Sequence, residues 1–255
     1  MPIPAMCFEA IAEKGGDVMR HVAVMCLLVI LALATTATAG AVFVPDRGGL
    51  PAAIQDRDGY DCLLGSFDFD GFQGYYSDFW DGGQIYAYLA DAPAQGCACQ
   101  MGVQVLNVHM ILYVNQYVDL FARARIYAAV PDSAGCLRPG DLLAFSSFYE
   151  FTGYPGTGYA NLEIPIAAPC IETTTPFFVA VEFDPSSLGA FVGVPVDDTP
   201  TACAGYVYQD GYGWVDPVTD LQWVGDFYVY GEAACCNDPV ADETTSWGAL
   251  KSLYR

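Results

Sequence analysis

Apolar and polar residues alternate most clearly in the segment Val118–Ala128. Every second residue is apolar there, whereas Asp119, Arg123 and Arg125 occupy intervening positions. A period of two predicts a β-strand with one buried face and one largely solvated face. The preceding segment, Val103–Val114, is apolar on both faces toward its end, which predicts a central strand covered by a second sheet.

Further strand-like segments recur along the chain, and Gly, Pro, Asp and Asn residues separate them. No amphipathic helix of three or more turns is evident between them. Short strands without helices are typical of an all-β protein, and we predict a jelly-roll-like antiparallel β-sandwich. The remaining predicted strands are Ser66–Phe69, Gln84–Leu89, Leu142–Phe151, Tyr159–Ile166, Phe177–Phe183, Ala190–Val196, Gly205–Gln209 and Phe227–Gly231.

The beginning of the chain has the pattern of a secretory signal peptide over residues 1–39. An uncharged apolar run of 13 residues starts at Val22, and small residues before Gly40 predict cleavage there. The run is shorter than the roughly 18 residues that a membrane span needs. A retained leader is the alternative, and we expect membrane contact only through such a leader or through the export machinery. Because Met1–Val18 is acidic, translation that starts at Met19 is a second reading of the leader.

Cysteine usage supports an exported protein. Ten cysteines occur in the chain, and eight remain after the predicted cleavage. An even number in a chain bound for an oxidising compartment predicts disulfides, with adjacent cysteines bonded to different partners. A thiolate zinc site is the alternative, since a Cys-x-Cys and a Cys-Cys pair could meet in space. The eight are Cys62, Cys97, Cys99, Cys136, Cys170, Cys203, Cys235 and Cys236.

The composition changes after Cys236, which predicts a β-sandwich domain over 40–236 and a polar linker over 237–245. The tail 246–255 places Trp247, Leu250 and Tyr254 on one stripe of a short amphipathic helix. This helix could clasp its own domain or act as a sorting or docking tag.

The sequence Trp-Gly-Ala-Leu-Lys-Ser-Leu-Tyr-Arg that ends the chain follows a Cys-Cys pair and a linker. In this respect the protein resembles uncharacterised exported β-domain proteins of environmental bacteria. The Cys-x-Cys at Cys97 and Cys99 ahead of His109 is similar to that group as well. The resemblance implies export, and it implies no activity.

The balance of charge argues against nucleic acid as a partner. From residue 40 onward the chain has seven basic residues against 27 acidic ones, a formal net charge of −20. Such a field repels phosphate backbones, and the basic clusters that nucleic-acid binding needs are missing.

Catalytic signatures are scarce in this sequence. His109 is the one histidine after the leader, and it falls inside an apolar strand, where a packed side chain is expected. No nucleophile elbow, zinc-hydrolase motif or phosphate-binding glycine loop is present. We therefore predict no catalytic residue. Glycoside hydrolysis needs only two carboxylates, so a secreted carbohydrate-active enzyme is an alternative.

The segment Ser66–Gly83 combines acidic, glycine and aromatic residues more densely than any other. Calcium requires six to eight oxygen ligands, and carboxylates beside turn glycines supply such ligands. The segment is a candidate calcium site, and the other reading is that Asp and Gly form turns while the aromatic residues alternate into the core. The candidate ligands are Asp68, Asp70, Asp78 and Asp81.

Aromatic side chains near carboxylates are also typical of carbohydrate recognition, because sugar rings stack on aromatic faces. The sequence thus favours a secreted or cell-surface non-catalytic module whose partner is a glycan or a cell-surface protein. A subunit of an extracellular assembly is the further alternative, and the oligomeric state stays open. The candidate ligand-binding residues are Tyr75, Tyr76, Trp80, Tyr208, Tyr212 and Trp214.

Overall fold

A computed structural model gives the structure of the chain and describes residues 42–46, 50, 62–79, 83–114, 119–151, 158–187 and 191–236. The predicted leader, linker and C-terminal helix lie outside these ranges. No helix in the described ranges has the length and apolar character needed to cross a membrane.

Strands dominate the described part of the chain. They are β1 (Val42–Pro45), β2 (Cys62–Gly65), β3 (Gly74–Phe79), β4 (Ile85–Ala90), β5 (Val103–Val114), β6 (Leu120–Pro131), β7 (Leu137–Phe145), β8 (Tyr149–Phe151), β9 (Gly158–Pro165), β10 (Phe177–Phe183), β11 (Phe191–Val196), β12 (Gly205–Gln209), β13 (Gly213–Val215) and β14 (Val229–Cys235).

These strands form two antiparallel sheets. The first sheet has the order β1-β3-β11-β5-β14-β2, and β9 pairs with β5 beside this path. The second sheet has the order β13-β12-β4-β10-β6-β7, and β8 pairs with β6. Strand β5 is central, as predicted, because β14 pairs with its first part and β9 with its last part.

The two sheets pack face to face through fully buried aliphatic side chains. Ala124 and Ile126 contribute from β6, and Met110 and Leu112 contribute from β5. Arg125 alternates to the other face of β6 and stays partly exposed. The prediction of an all-β antiparallel sandwich is therefore confirmed, and the jelly-roll type of connectivity stays a prediction.

All eight cysteines of the domain form disulfides, which leaves no thiolate for the zinc alternative. Cys235 and Cys236 bond to different partners, as expected for adjacent residues. Their partners lie before β5 and after β9, so both bonds fix the end of β14. The pairs are Cys62–Cys97, Cys99–Cys235, Cys136–Cys203 and Cys170–Cys236.

One predicted strand is interrupted. The segment Leu142–Phe151 contains a break between the end of β7 and the start of β8, and both strands pair with β6. Within the break the hydroxyl of Ser146, rather than a backbone carbonyl, accepts the hydrogen bond from Ala124 N at 3.0 Å.

Another predicted strand is wrong. The segment Ser66–Phe69 is not a strand, because β2 ends at Gly65 and a 3-10 turn follows at Phe69–Gly71. Gly65 has a φ of +110°, which favours glycine and turns the chain away from the sheet. The side chain of Asp68 then accepts a hydrogen bond from the backbone N of Asp70 at 3.3 Å and caps the turn.

The segment after β2 packs against the outer face of the first sheet. The Phe69 ring lies 5.5 Å from the Tyr228 ring and 5.7 Å from the Tyr230 ring, measured between centroids. Ile111 is fully buried in the same cluster. This second, smaller hydrophobic cluster borders the part of the sheet that carries His109.

Candidate functional site

Three adjacent strands of the first sheet bring together a histidine and two glutamates. His109 on β5 faces Glu163 on β9 and Tyr230 on β14, and Glu232 on β14 faces Asn107 on β5. Residues that face each other across antiparallel strands point to the same side of a sheet. The ligand atoms of His109, Glu163 and Glu232 accordingly all lie within 4.8 Å of one another.

His109 and Glu232 are buried, whereas Glu163 is exposed. Nε2 of His109 lies 3.1 Å from Oε2 of Glu232. The same carboxylate oxygen accepts a hydrogen bond from Nδ2 of Asn107 at 2.9 Å. The His109 ring stacks on Tyr230, with centroids 4.7 Å apart and planes within 4° of parallel. Stacking and burial together hold the imidazole in one orientation.

The other nitrogen of His109 faces an amide. Nδ1 lies 3.3 Å from Oδ1 of Asn161, whose Nδ2 donates to the hydroxyl of Tyr230 at 3.2 Å. An amide oxygen can only accept, so this contact places a proton on Nδ1. Nε2 is buried and makes no hydrogen bond to any residue that the structure describes. The position of His109 inside an apolar strand predicted its burial, whereas its partners could not be predicted because only the strand register identifies them.

Two of the four predicted calcium ligands can be placed with their side chains. Asp68 and Asp70 are exposed, and Asp68 caps the 3-10 turn. Asp78 lies on β3 but its side chain is outside the described part of the structure, as is Asp81. Among the described residues, the group that could hold a metal ion is the one around His109, and neither Asp68 nor Asp70 belongs to it. The calcium site stays a prediction.

The predicted aromatic residues of β3 are engaged within the first sheet. Tyr76 is only 6% exposed, stacks on Trp223 with centroids 4.4 Å apart, and accepts a hydrogen bond from Val224 N. A ligand cannot stack on a ring that is covered in this way. Tyr75 is half-buried and stacks on Tyr113 at 4.1 Å. Tyr75 thus remains accessible in part, whereas Tyr76 belongs to the core.

The predicted aromatic residues of β12, β13 and their turn lie on the second sheet. Tyr208 and Trp214 are half-buried, and Tyr212 in the turn is 77% exposed. Trp80 lies outside the described residues. One row of paired positions continues from these aromatics across five strands on the outer face of the sheet. The row is Trp214, Tyr208, Ile85, Glu182 and Arg123.

The second sheet curls over this outer face. The Trp214 ring lies 5.4 Å from the ring of Tyr127 on β6, although β12, β4 and β10 lie between β13 and β6. In a flat sheet, four strand spacings would separate these two strands by about 19 Å. The contact therefore requires the edge hairpin to bend toward the face. Tyr208 also contacts Trp214, at 5.3 Å.

A charged group lies beside these rings. Arg123 and Arg125 both pair with the carboxylate of Glu182. Nη1 of Arg125 donates to the hydroxyl of Tyr127 at 2.8 Å, and burial raises the pKa of Tyr127. The guanidinium of Arg123 lies 4.4 Å from the centre of the Phe148 ring. We call Tyr127, Tyr208, Trp214, Arg125 and Glu182 the outer platform.

Buried aspartates organise the loops that follow β11 and precede β14. Asp197 is 2% exposed and accepts hydrogen bonds from the backbone N of Thr199 and of Asp226, both at 2.9 Å. Asp226 is 3% exposed and accepts a hydrogen bond from the Tyr88 hydroxyl at 2.5 Å. Burial raises the pKa of Asp197 to about 6 and also raises the pKa of Asp226. We assign these carboxylates a structural role.

Because the pKa of Asp197 is raised, its carboxyl group keeps a proton in the folded state, and this makes the protein less stable as pH rises. The folded state holds this proton at a higher pH than the unfolded state, so stability falls as pH rises from about 4 through 6. Between pH 5 and pH 7 the loss is about 1 kcal/mol. Asp197→Asn keeps an acceptor oxygen and removes the charge. We expect urea unfolding at pH 5, 6 and 7 to show a flatter dependence for the variant than for the wild type. Equal slopes would contradict the assignment.

Comparison with known proteins shows that the chain matches the model of one protein family. A family model described as a domain of unknown function, DUF7451, matches residues 71–247. No curated protein matches the chain. Similar solved structures include the cysteine protease and lectin-like domains of Cwp84, a surface layer associated protein of Clostridium difficile, and a clostridial Cwp84 after propeptide cleavage.

Both structures are 10% identical to this chain, with a TM-score of 0.45 over 68% of its length. The chain spans only 36% and 40% of the two solved chains. A likeness at this level assigns neither a fold nor a function.

Proposed function

We propose that this chain, which belongs to the DUF7451 family of domains of unknown function, is an extracytoplasmic, non-catalytic recognition module that binds a neutral glycan at its outer platform. The observation that carries the proposal is the contact of Trp214 with both Tyr208 and Tyr127 on a curled sheet face, next to an Arg–Glu group.

The chemistry of the outer platform suits a sugar. The apolar faces of pyranose rings stack on aromatic rings, and their hydroxyls need donors and acceptors in fixed positions. Trp214 and Tyr208 offer partly exposed rings. Glu182 offers acceptor oxygens, and Arg125 offers donors whose orientation Tyr127 and Glu182 fix. A fixed orientation lowers the entropy cost of binding.

The disulfides indicate where the protein acts, and its net charge indicates which class of glycan it binds. Four disulfides are typical of oxidising compartments outside the cytoplasm, which supports a secreted or cell-surface protein. The full chain has a formal net charge of −21, so an acidic polysaccharide would be repelled over long distances. A neutral polysaccharide meets no such barrier.

Substitution of the platform tests the proposal. We expect Trp214→Ala to weaken binding to an immobilised neutral polysaccharide by at least about tenfold, because the central stacking ring is lost. The panel would hold β-glucan, xylan and mannan, with alginate as the acidic comparison. Affinity would be measured on the oxidised protein, and the same samples would be assayed for released reducing ends.

Tyr75→Ala is the matched control, since it removes a half-buried aromatic side chain from the first sheet. Thermal melts would show that both variants are folded. Loss of binding in the Trp214 variant alone supports the platform. Loss in the Tyr75 variant alone would move the site to the first sheet, and release of reducing ends would make the protein an enzyme. If the wild-type protein binds no polysaccharide of the panel and releases no reducing ends, glycan binding is overturned and a role in an extracellular assembly is favoured.

A further inference from the structure

We propose that His109, Glu163 and Glu232 bind a divalent transition-metal ion, with zinc the best match, on the outer face of the first sheet. This site lies on the first sheet and the outer platform lies on the second, so zinc binding here does not depend on glycan binding. It unites β5, β9 and β14 through one residue from each strand.

The tautomer of His109 leaves Nε2 free to bind a metal ion. Asn161 uses its Nδ2 to donate to Tyr230, so its Oδ1 is the atom that faces Nδ1 of His109. In the neutral ring the proton then sits on Nδ1, and Nε2 carries a lone pair. An outer partner that fixes Nδ1–H in this way is the usual arrangement for a metal-binding histidine.

The atom of Glu232 that faces Nε2 of His109 is a buried carboxylate oxygen. Nε2 lies 3.1 Å from this Oε2 atom, which also accepts a hydrogen bond from Nδ2 of Asn107. Two electron-rich atoms at this distance, both almost completely buried, repel each other unless a cation or a proton lies between them. Within the described part of the chain, Nε2 makes no hydrogen bond that would relieve this repulsion.

The distances suit a metal ion. Bonds of about 2.0 to 2.1 Å in a tetrahedral zinc site separate neighbouring ligand atoms by about 3.3 Å. The distance of 3.1 Å between His109 and Glu232 is close to this value. Glu163 lies within the 4.8 Å limit of the cluster and is exposed, so its side chain can adjust and close the site. Its exposure also gives the ion a route from solvent.

The chemical types of the three ligands indicate which class of metal ion the site would prefer. An imidazole nitrogen with two carboxylates is a set that zinc and similar ions accept, and three protein ligands leave one position for water. Calcium and magnesium prefer sites made of oxygen atoms alone. The oxidised domain offers no competing thiolates, because its eight cysteines are bonded in pairs.

Titration of the untagged, oxidised, metal-free protein with zinc chloride tests the proposal. We expect one zinc ion per chain, a higher melting temperature in zinc, and no such response to calcium chloride at the same concentration. A nitrogen-15 NMR spectrum of His109 should show zinc at Nε2 while Nδ1 keeps its proton.

Two isosteric variants make the test specific. Glu163→Gln alters an exposed ligand with little risk to folding, and it should weaken zinc binding at least about tenfold. Glu232→Gln should also weaken zinc binding, yet it should not destabilise the metal-free protein. Its amide can accept from Asn107 and donate to Nε2 of His109. Glu150→Gln, an exposed glutamate on β8 in the second sheet, is the control.

Zinc binding that both site variants weaken, and that the control variant keeps, supports the inference. No zinc binding at millimolar concentration would overturn it. Equal affinity in all three variants would also overturn it, because the ion would then bind elsewhere.

Discussion

Replacing Cys99 and Cys235 together by alanine is expected to lower the free energy of unfolding by about 4 kcal/mol. The bond joins residues 136 positions apart. While Cys170–Cys236 is intact, the loop that the bond closes in the unfolded chain is about 70 residues long, and that length sets the expected loss. The bond also holds the end of β14 next to β5, the pairing that positions Glu232 near His109. Urea unfolding of the oxidised proteins would measure the loss.

A reductant provides the control for this variant. If the lost stability comes from the covalent link, the wild type and the variant should have the same unfolding midpoint once all disulfides are reduced. A difference that persists in reductant would instead come from the packing of the Cys99 side chain, which is 6% exposed. A loss below about 1 kcal/mol in the oxidised proteins would contradict the expected role of the bond.

The fold class was predictable because the period of the side chains directly reports the faces of a strand. In β6 the alternation places Ala122, Ala124 and Ile126 in the core, as the pattern indicates. The strand predicted at Ser66–Phe69 is wrong for a local reason. Its aromatic residues have strand-like alternation, but Gly65 and the Asp68 cap turn the chain before a strand can continue.

The candidate sites were harder to predict because they depend on strand register. His109 is 54 positions from Glu163 in the sequence and 123 from Glu232, and only the pairing of β5 with β9 and β14 brings them together. The aromatic residues of the platform were partly predicted. Tyr208 and Trp214 were found from composition, whereas Arg125 and Glu182 were missed because they come from two other strands.

Gly225→Ala is expected to lower the free energy of unfolding by about 4 kcal/mol, although it adds a single methyl group. A Cβ atom at Gly225 would lie 1.8 Å from the backbone oxygen of Asp197, so the two backbone segments must separate. Separation breaks the bond from Asp197 N to Asp226 O at 3.0 Å and the bond from Asp226 N to the Asp197 carboxylate. Overpacking and a buried carboxylate that loses a donor each cost on the order of 1–3 kcal/mol.

Gly158→Ala is the matched control, because a Cβ atom there meets no atom of the described residues within 4 Å. Its φ lies outside the left-handed region, so alanine should change stability by no more than about 0.5 kcal/mol, or stabilise the protein slightly through the unfolded state. Chemical unfolding of both variants at pH 7 makes the comparison. Similar small effects in the two variants would contradict the close approach of Gly225 to Asp197, and with it the tight loop structure that keeps both aspartates buried. A large loss confined to Gly225→Ala would support the close approach of the two segments, which keeps the Asp197 carboxylate buried, and it is this burial that raises the pKa of Asp197.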